Sequence, residues 1–173
     1  MRCAAWLLPV GLLGIAAAVK LAAMTASVGV HRVFLYPLAL LLSVYTGEGY
    51  DERAGQFYFS DFFLDFSCAG INFFVIAAIT TAWLFPEALP WPSRFKLVPA
   101  RILLHLGFLT AAVYAVTLAA NFLRVAIFLN LQPFAIGRAW LHEAVGIAVF
   151  LSLLISYSLL LYRIKNAQQP SNP

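Results

Sequence analysis

Three polar side chains stand where an apolar chain has little structural use for them. They are Cys68 in Phe66-Ser-Cys-Ala-Gly-Ile-Asn72, Arg124 closing Ala120-Asn-Phe-Leu-Arg124, and His142 in Trp140-Leu-His-Glu143. A thiol, a guanidinium and an imidazole are the parts of thiol acyl transfer. Cysteine attacks as thiolate, whose ordinary pKa of about 8.5 falls beside a cation. A histidine can take the thiol proton and later protonate a leaving amine. Arginine supplies a permanent charge suited to holding a thiolate or a developing oxyanion where water is scarce. Asn121 shares a helix face with Arg124 at i,i+3 spacing and fits a supporting role. Each residue also has a plain use: a lone membrane cysteine is most often a small apolar filler, an arginine at a helix end often snorkels to phosphate, and a histidine beside Trp140 can be an interfacial anchor. Serine chemistry has no comparable support. No Cys/His spacing resembles a zinc site, and neither a metal nor another cofactor is expected.

The elements that must position these residues follow from composition. The 173 residues are 63% hydrophobic and 10% charged, against roughly 45–50% apolar and about 25% charged in soluble domains. An all-α integral membrane fold is expected, as one polytopic domain over residues 1–166 with a short disordered tail at 167–173. Apolar runs at about 4–24, 33–47, 67–85, 102–120 and 140–162 predict about five transmembrane helices. The second is the weakest: it is short, and Pro37 either kinks it or makes it partly re-entrant. Between Arg124 and His142, Val125–Leu141 carries Pro133, Gly137 and Arg138 and reads as a short re-entrant or interfacial helix. Glu48–Phe66 holds five of the seven acids among aromatic residues and reads as an interfacial loop. Pro86–Lys96, with three prolines and Trp91, reads as a surface connector. Cys3 and Cys68 cannot make a disulfide framework, and a bridge between them would remove the only thiols.

With the amino terminus outside and all five runs crossing, the inner side carries Lys20, Arg32, Arg94, Lys96, Arg101, Arg163 and Lys165, and the outer side Arg2, Arg53, Arg124 and Arg138. Seven against four satisfies the positive-inside rule, and six of the seven acids fall outside. Arg2 ahead of the first run is a contrary signal, typical of a start that stays inside, even of a signal peptide. In this topology the heads of the third and fifth runs and the end of the fourth bring Cys68, His142 and Arg124 to one outer face of a cell inner (plasma) membrane, while His31 and His105 lie inside.

Ser67-Cys-Ala-Gly70, Asn121-Phe-Leu-Arg124 and a histidine at the head of the last span resemble the exosortase/archaeosortase family of integral membrane cysteine transpeptidases. The short chain and its Cys-Ala-Gly-Ile-Asn-Phe-Phe context look most like the small, exosortase K-like variants. The resemblance covers roughly residues 60–163, and the chain has fewer spans than typical members. It implies Cys68 as nucleophile, Arg124 as stabiliser, His142 as base and Asn121 as the asparagine of the Asn-x-x-Arg motif. It further implies a sorting enzyme that cleaves a carboxy-terminal signal on exported proteins: a short motif such as Pro-Glu-Pro, an apolar helix, then basic residues. The thioacyl-enzyme would pass to a glycan, a lipid or water. Membrane lipid is a partner and nucleic acid is not. The acidic loop Glu48–Asp65 and its aromatics could form part of the substrate lid, although a plain interfacial loop is the favoured reading.

A second reading from another class is a small non-catalytic transporter subunit or structural membrane protein in which Arg124 and His142 line a polar cavity. A third, an aspartyl intramembrane protease using Asp61 and Asp65, needs carboxylates from facing helices, whereas these two are neighbours at i,i+4.

Overall fold

The computed structural model describes residues 6–25, 28–84, 99–135 and 139–167. Five α-helices dominate: α1 (Leu7–Met24), α2 (Val28–Thr46), α3 (Ile71–Leu84), α4 (Pro99–Ala135) and α5 (Ala139–Ala167). Each of the five predicted runs contains a helix long and apolar enough to cross a membrane, α3 counting with the 3₁₀ turn Phe66–Ala69 before it. Cys3, the Pro86–Lys96 connector, Gly137, Arg138 and the tail from 168 onward lie outside the described residues.

Side-chain contacts give the helix directions. Lys20 near the end of α1 bonds Asn72 at the start of α3, while Gly11 near the start of α1 lies against Leu106 near the start of α4. Phe73 stacks on Phe150 and Thr81 bonds Tyr157, so α3 and α5 run together. Arg124 lies over Phe150, so α4 and α5 are antiparallel. Helices α1 and α4 therefore run one way and α3 and α5 the other. The α3 face toward them buries Phe74, Ala77, Ala78, Thr81 and Ala82; the alanines, with Ala78 and Ala82 one turn apart, let neighbouring backbones approach closely.

Helix α2 departs from this pattern. Near its start, His31 packs on Phe66, two residues before Cys68. At its other end, Tyr45 meets Phe122 and Asn130, which flank Arg124 on α4. Both ends of α2 thus lie in the half of the bundle that carries Cys68 and Arg124. The expected sidedness changes accordingly. Lys20 is bonded beside the Cys68 turn and Arg32 is paired with Glu52 at 2.9 Å, so neither is separated from Cys68 and the acidic loop by the width of a bilayer. Hydropathy marks α2 as a run but does not say which parts of α3 and α4 its two ends meet.

Two further expectations are corrected. Val125–Leu141 is not a separate helix: α4 continues through Arg124 to Ala135, with Pro133 inside its last turn, and α5 starts at Ala139. At 37 residues, α4 is about 55 Å long and outruns a hydrocarbon core of about 30 Å. The acidic segment is not an irregular loop but a three-stranded antiparallel sheet, β1 (Asp51–Arg53), β2 (Gln56–Tyr58) and β3 (Phe63–Leu64). Arg53 pairs with Gln56, leaving Ala54-Gly55 as a two-residue hairpin loop with φ of 52° and 78°, the left-handed pair that a type I′ turn requires. Alternation then turns Phe57 and Phe59 inward and Tyr58 outward.

Candidate active site

The Cys68 turn is built by its neighbours. Asp65, in extended conformation, caps the 3₁₀ turn Phe66–Ala69 by accepting from the Ser67 N–H at 2.9 Å and from the Ser67 hydroxyl. The Cys68 N–H donates to the Asp65 carbonyl at 3.0 Å. Burial pushes the Asp65 carboxyl up, but hydrogen bonds from Ser67 and Cys68 outweigh that and hold it below the usual carboxylate value. Gly70 ends the turn at φ 66°, and its carbonyl accepts the Phe74 N–H to start α3. Cys68 is a free thiol, 9% exposed.

Asn121 fits against this turn so closely that only glycine is compatible. A Cβ on Gly70 would stand 1.9 Å from Asn121 Nδ2, well inside van der Waals contact. The asparagine is 1% exposed, and its Oδ1 has no hydrogen-bond partner among the described residues. One turn further along α4, Arg124 is 9% exposed, with its guanidinium carbon 5.7 Å above the Phe150 ring. Its Nε passes 3.4 Å from where a Cβ on Gly146 would be, so the glycine opens room for the side chain. The guanidinium charge reaches the Cys68 thiol.

Ser67, Gly70 and Arg124 border a cavity of about 570 Å³ whose other walls come from α1, α2, α3 and α5. Cys68 and the Asn121–Arg124 pair, more than fifty positions apart in the chain, therefore meet at one place. His142 belongs to the first turn of α5, one helical turn before Gly146; its side chain lies outside the described residues.

Sequence reasoning overlooked three contributors. His31, expected on the opposite side, is 8% exposed, packs on Phe66 and lines the cavity. Lys20 reaches the cavity and bonds Asn72 Oδ1 at 2.6 Å. Asp65 is expected only as one of the acids of the interfacial segment and as a neighbour of Asp61, whereas its carboxylate is the cap of the Cys68 turn. The Asp-x-Ser-Cys spacing is a capping signal that could have shown this. Among the described residues, no group of three or more His, Cys, Asp or Glu side chains could hold a metal ion. No known family model, curated protein or solved structure matches this chain.

Proposed function

We propose that the protein is a membrane-embedded cysteine transpeptidase or protease of exosortase type that cleaves a carboxy-terminal sorting signal from exported proteins. The observation that carries this reading is the convergence of a capped, buried thiol with a buried guanidinium and a buried amide beside one cavity. Packing alone gives little reason to bury a guanidinium beside an amide oxygen that has no partner among the described residues, since burying polar groups costs stability.

In the proposed reaction, His142 accepts the Cys68 proton and the thiolate adds to the scissile carbonyl. Arg124 stabilises the resulting oxyanion. As the C–N bond breaks, the imidazolium returns the proton to the leaving amine, which departs with the apolar signal helix, and a thioester remains on Cys68. An amine, hydroxyl or water acceptor then attacks the thioester and restores the thiol. Asn121 holds the turn against α4 at Gly70.

Charge sorting supports an outer position for the site. The helix ends opposite Cys68 are flanked in sequence by Arg2, Arg94, Lys96, Arg101, Arg163 and Lys165, with Glu87 the only acid. The Cys68 end carries the other six acids. With α1 parallel to α4, the amino terminus and the basic segments share the inner side, which agrees with Arg2 as an inside start.

The test is co-expression with an exported reporter that ends in Pro-Glu-Pro, an apolar helix and basic residues. Wild type should shorten the reporter, while Cys68→Ala, Arg124→Ala and His142→Ala should insert normally and leave it intact. Full processing by Cys68→Ala would refute the reading and favour a non-catalytic membrane protein with a polar cavity.

A further inference from the structure

The two edges of the sheet that precedes the Cys68 turn differ in kind. In the order β1-β2-β3, the β1 edge is charged throughout as Asp51-Glu52-Arg53, with Glu52 tied to Arg32 at 2.9 Å. Charges on an edge strand discourage a further chain from pairing there. The β3 edge, Phe63-Leu64, carries no charge.

Register shows which β3 groups point outward. Phe57 lies opposite Leu64 and Tyr58 opposite Phe63, and the Phe59 N–H donates to the Phe62 carbonyl at 2.9 Å. Hydrogen-bonded and non-hydrogen-bonded pairs alternate along an antiparallel ladder. Phe62 and Leu64 therefore bond β2, while the N–H and C=O of Phe63 face away from it. Neither group has a hydrogen-bond partner among the described residues. Phe63 is 57% exposed, with its ring stacked on Tyr58 rather than folded over the edge. The strand also leads to the proposed nucleophile. Asp65 continues the extended backbone, and Phe66 and Ser67 line the cavity beside Cys68. Phe66 lies at most about 10 Å along the chain from Phe63.

We propose that the outer edge of β3 binds the exported protein beside its scissile bond, as an added antiparallel strand; the proposal rests on the cysteine peptidase reading above. One residue of this extended peptide donates its N–H to the Phe63 carbonyl and accepts the Phe63 N–H on its own carbonyl. Pairing stops at that residue because Asp65, the next outward position, gives its carbonyl to the Cys68 N–H. A residue between two prolines suits such an edge, since the donors that the prolines lack would point away from β3.

The test uses full-length Cys68→Ala protein in neutral detergent micelles and a fluorescent synthetic copy of the reporter tail, Pro-Glu-Pro with its apolar helix and basic residues. Affinity is read by anisotropy. Phe63→Pro in this background removes the outward N–H and leaves the β2 ladder whole. It should weaken binding about fivefold or more, as expected for one lost hydrogen bond. Phe63→Val loses the ring but keeps the N–H in a residue suited to strands, and should stay within about twofold. A tail made with N-methyl glutamate tests the partner bond with the sheet unaltered, and should also bind about fivefold more weakly. The two changes together should cost less than the product of their separate losses, because either one undoes the same pair. Undiminished binding by Phe63→Pro, full affinity for the N-methyl tail, an equal loss in Phe63→Val or no binding of the tail would each overturn the proposal. Edge-dependent binding by a protein whose wild type leaves the reporter uncut would sink the reaction and keep the edge site. A cut reporter with edge-independent binding would do the reverse.

Discussion

Replacing Gly70 by alanine tests the packing that joins the Cys68 turn to α4. Two costs add. At φ 66° the backbone is left-handed, a conformation that costs a residue with a Cβ about 1–2 kcal/mol. The new methyl would also stand 1.9 Å from Asn121 Nδ2, so the amide or the turn must shift, and overpacking of this kind costs about 1–3 kcal/mol. Gly70→Ala should therefore lose about 2–5 kcal/mol in total. Asn121→Ala supplies the partner experiment, because its Oδ1 has no partner among the described residues and truncation orphans nothing there. In that background only the conformational cost remains, about 1–2 kcal/mol. The double-mutant cycle should give a coupling of about 1–3 kcal/mol, read from reversible unfolding in detergent micelles by far-ultraviolet circular dichroism. If Gly70→Ala costs the same with and without Asn121, the amide does not press on Gly70 and the reasoning fails.

Arg124→Gln should keep the helices intact yet lower reporter processing about 10²–10³-fold, as expected for the loss of an oxyanion donor; processing within threefold of wild type would count against its role. Gly146→Ala should be nearly neutral, since the added Cβ meets Arg124 Nε at 3.4 Å while alanine favours the helix by about 1 kcal/mol. Gly146→Leu should displace the guanidinium and reduce processing as far as Arg124→Gln does, and a fully active Gly146→Leu would refute the proposed fit. Asp65 is a stronger acid folded than unfolded, so it adds stability above the ordinary carboxyl pKa of about 3.9 and loses it as pH falls through the lower folded value. Asp65→Asn should flatten that part of the stability profile below pH 4, and an unchanged profile would show that the cap is not the cause.

How much of this was legible before the structure depends on the range of each signal. The five apolar runs are local, and each became a helix. The extent of α4 was not legible, because Pro133 and Gly137 suggest breaks while the helix runs on to Ala135 with Pro133 inside it. The sheet was also missed. Ala54-Gly55 lacks the Asn or Asp that usually marks a type I′ hairpin, although Gln56–Phe59 does alternate. The charge count set Lys20 and Arg32 apart from Cys68 because it assumed that consecutive runs alternate in direction, whereas Lys20 bonds Asn72 and Arg32 pairs with Glu52.

The sequence by itself determined a helical chain suited to a bilayer and the residues capable of chemistry, since hydrophobicity and side-chain reactivity are properties of residues and their near neighbours. Only the tertiary structure decided that Cys68, Asn121 and Arg124 meet, that Gly70 and Gly146 make room for two of them, and that His31 and Lys20 join the same cavity. Those facts depend on helix direction and on close contacts between α1, α2, α3, α4 and α5. Residues more than fifty positions apart carry no mark in a single sequence of which partner they will touch.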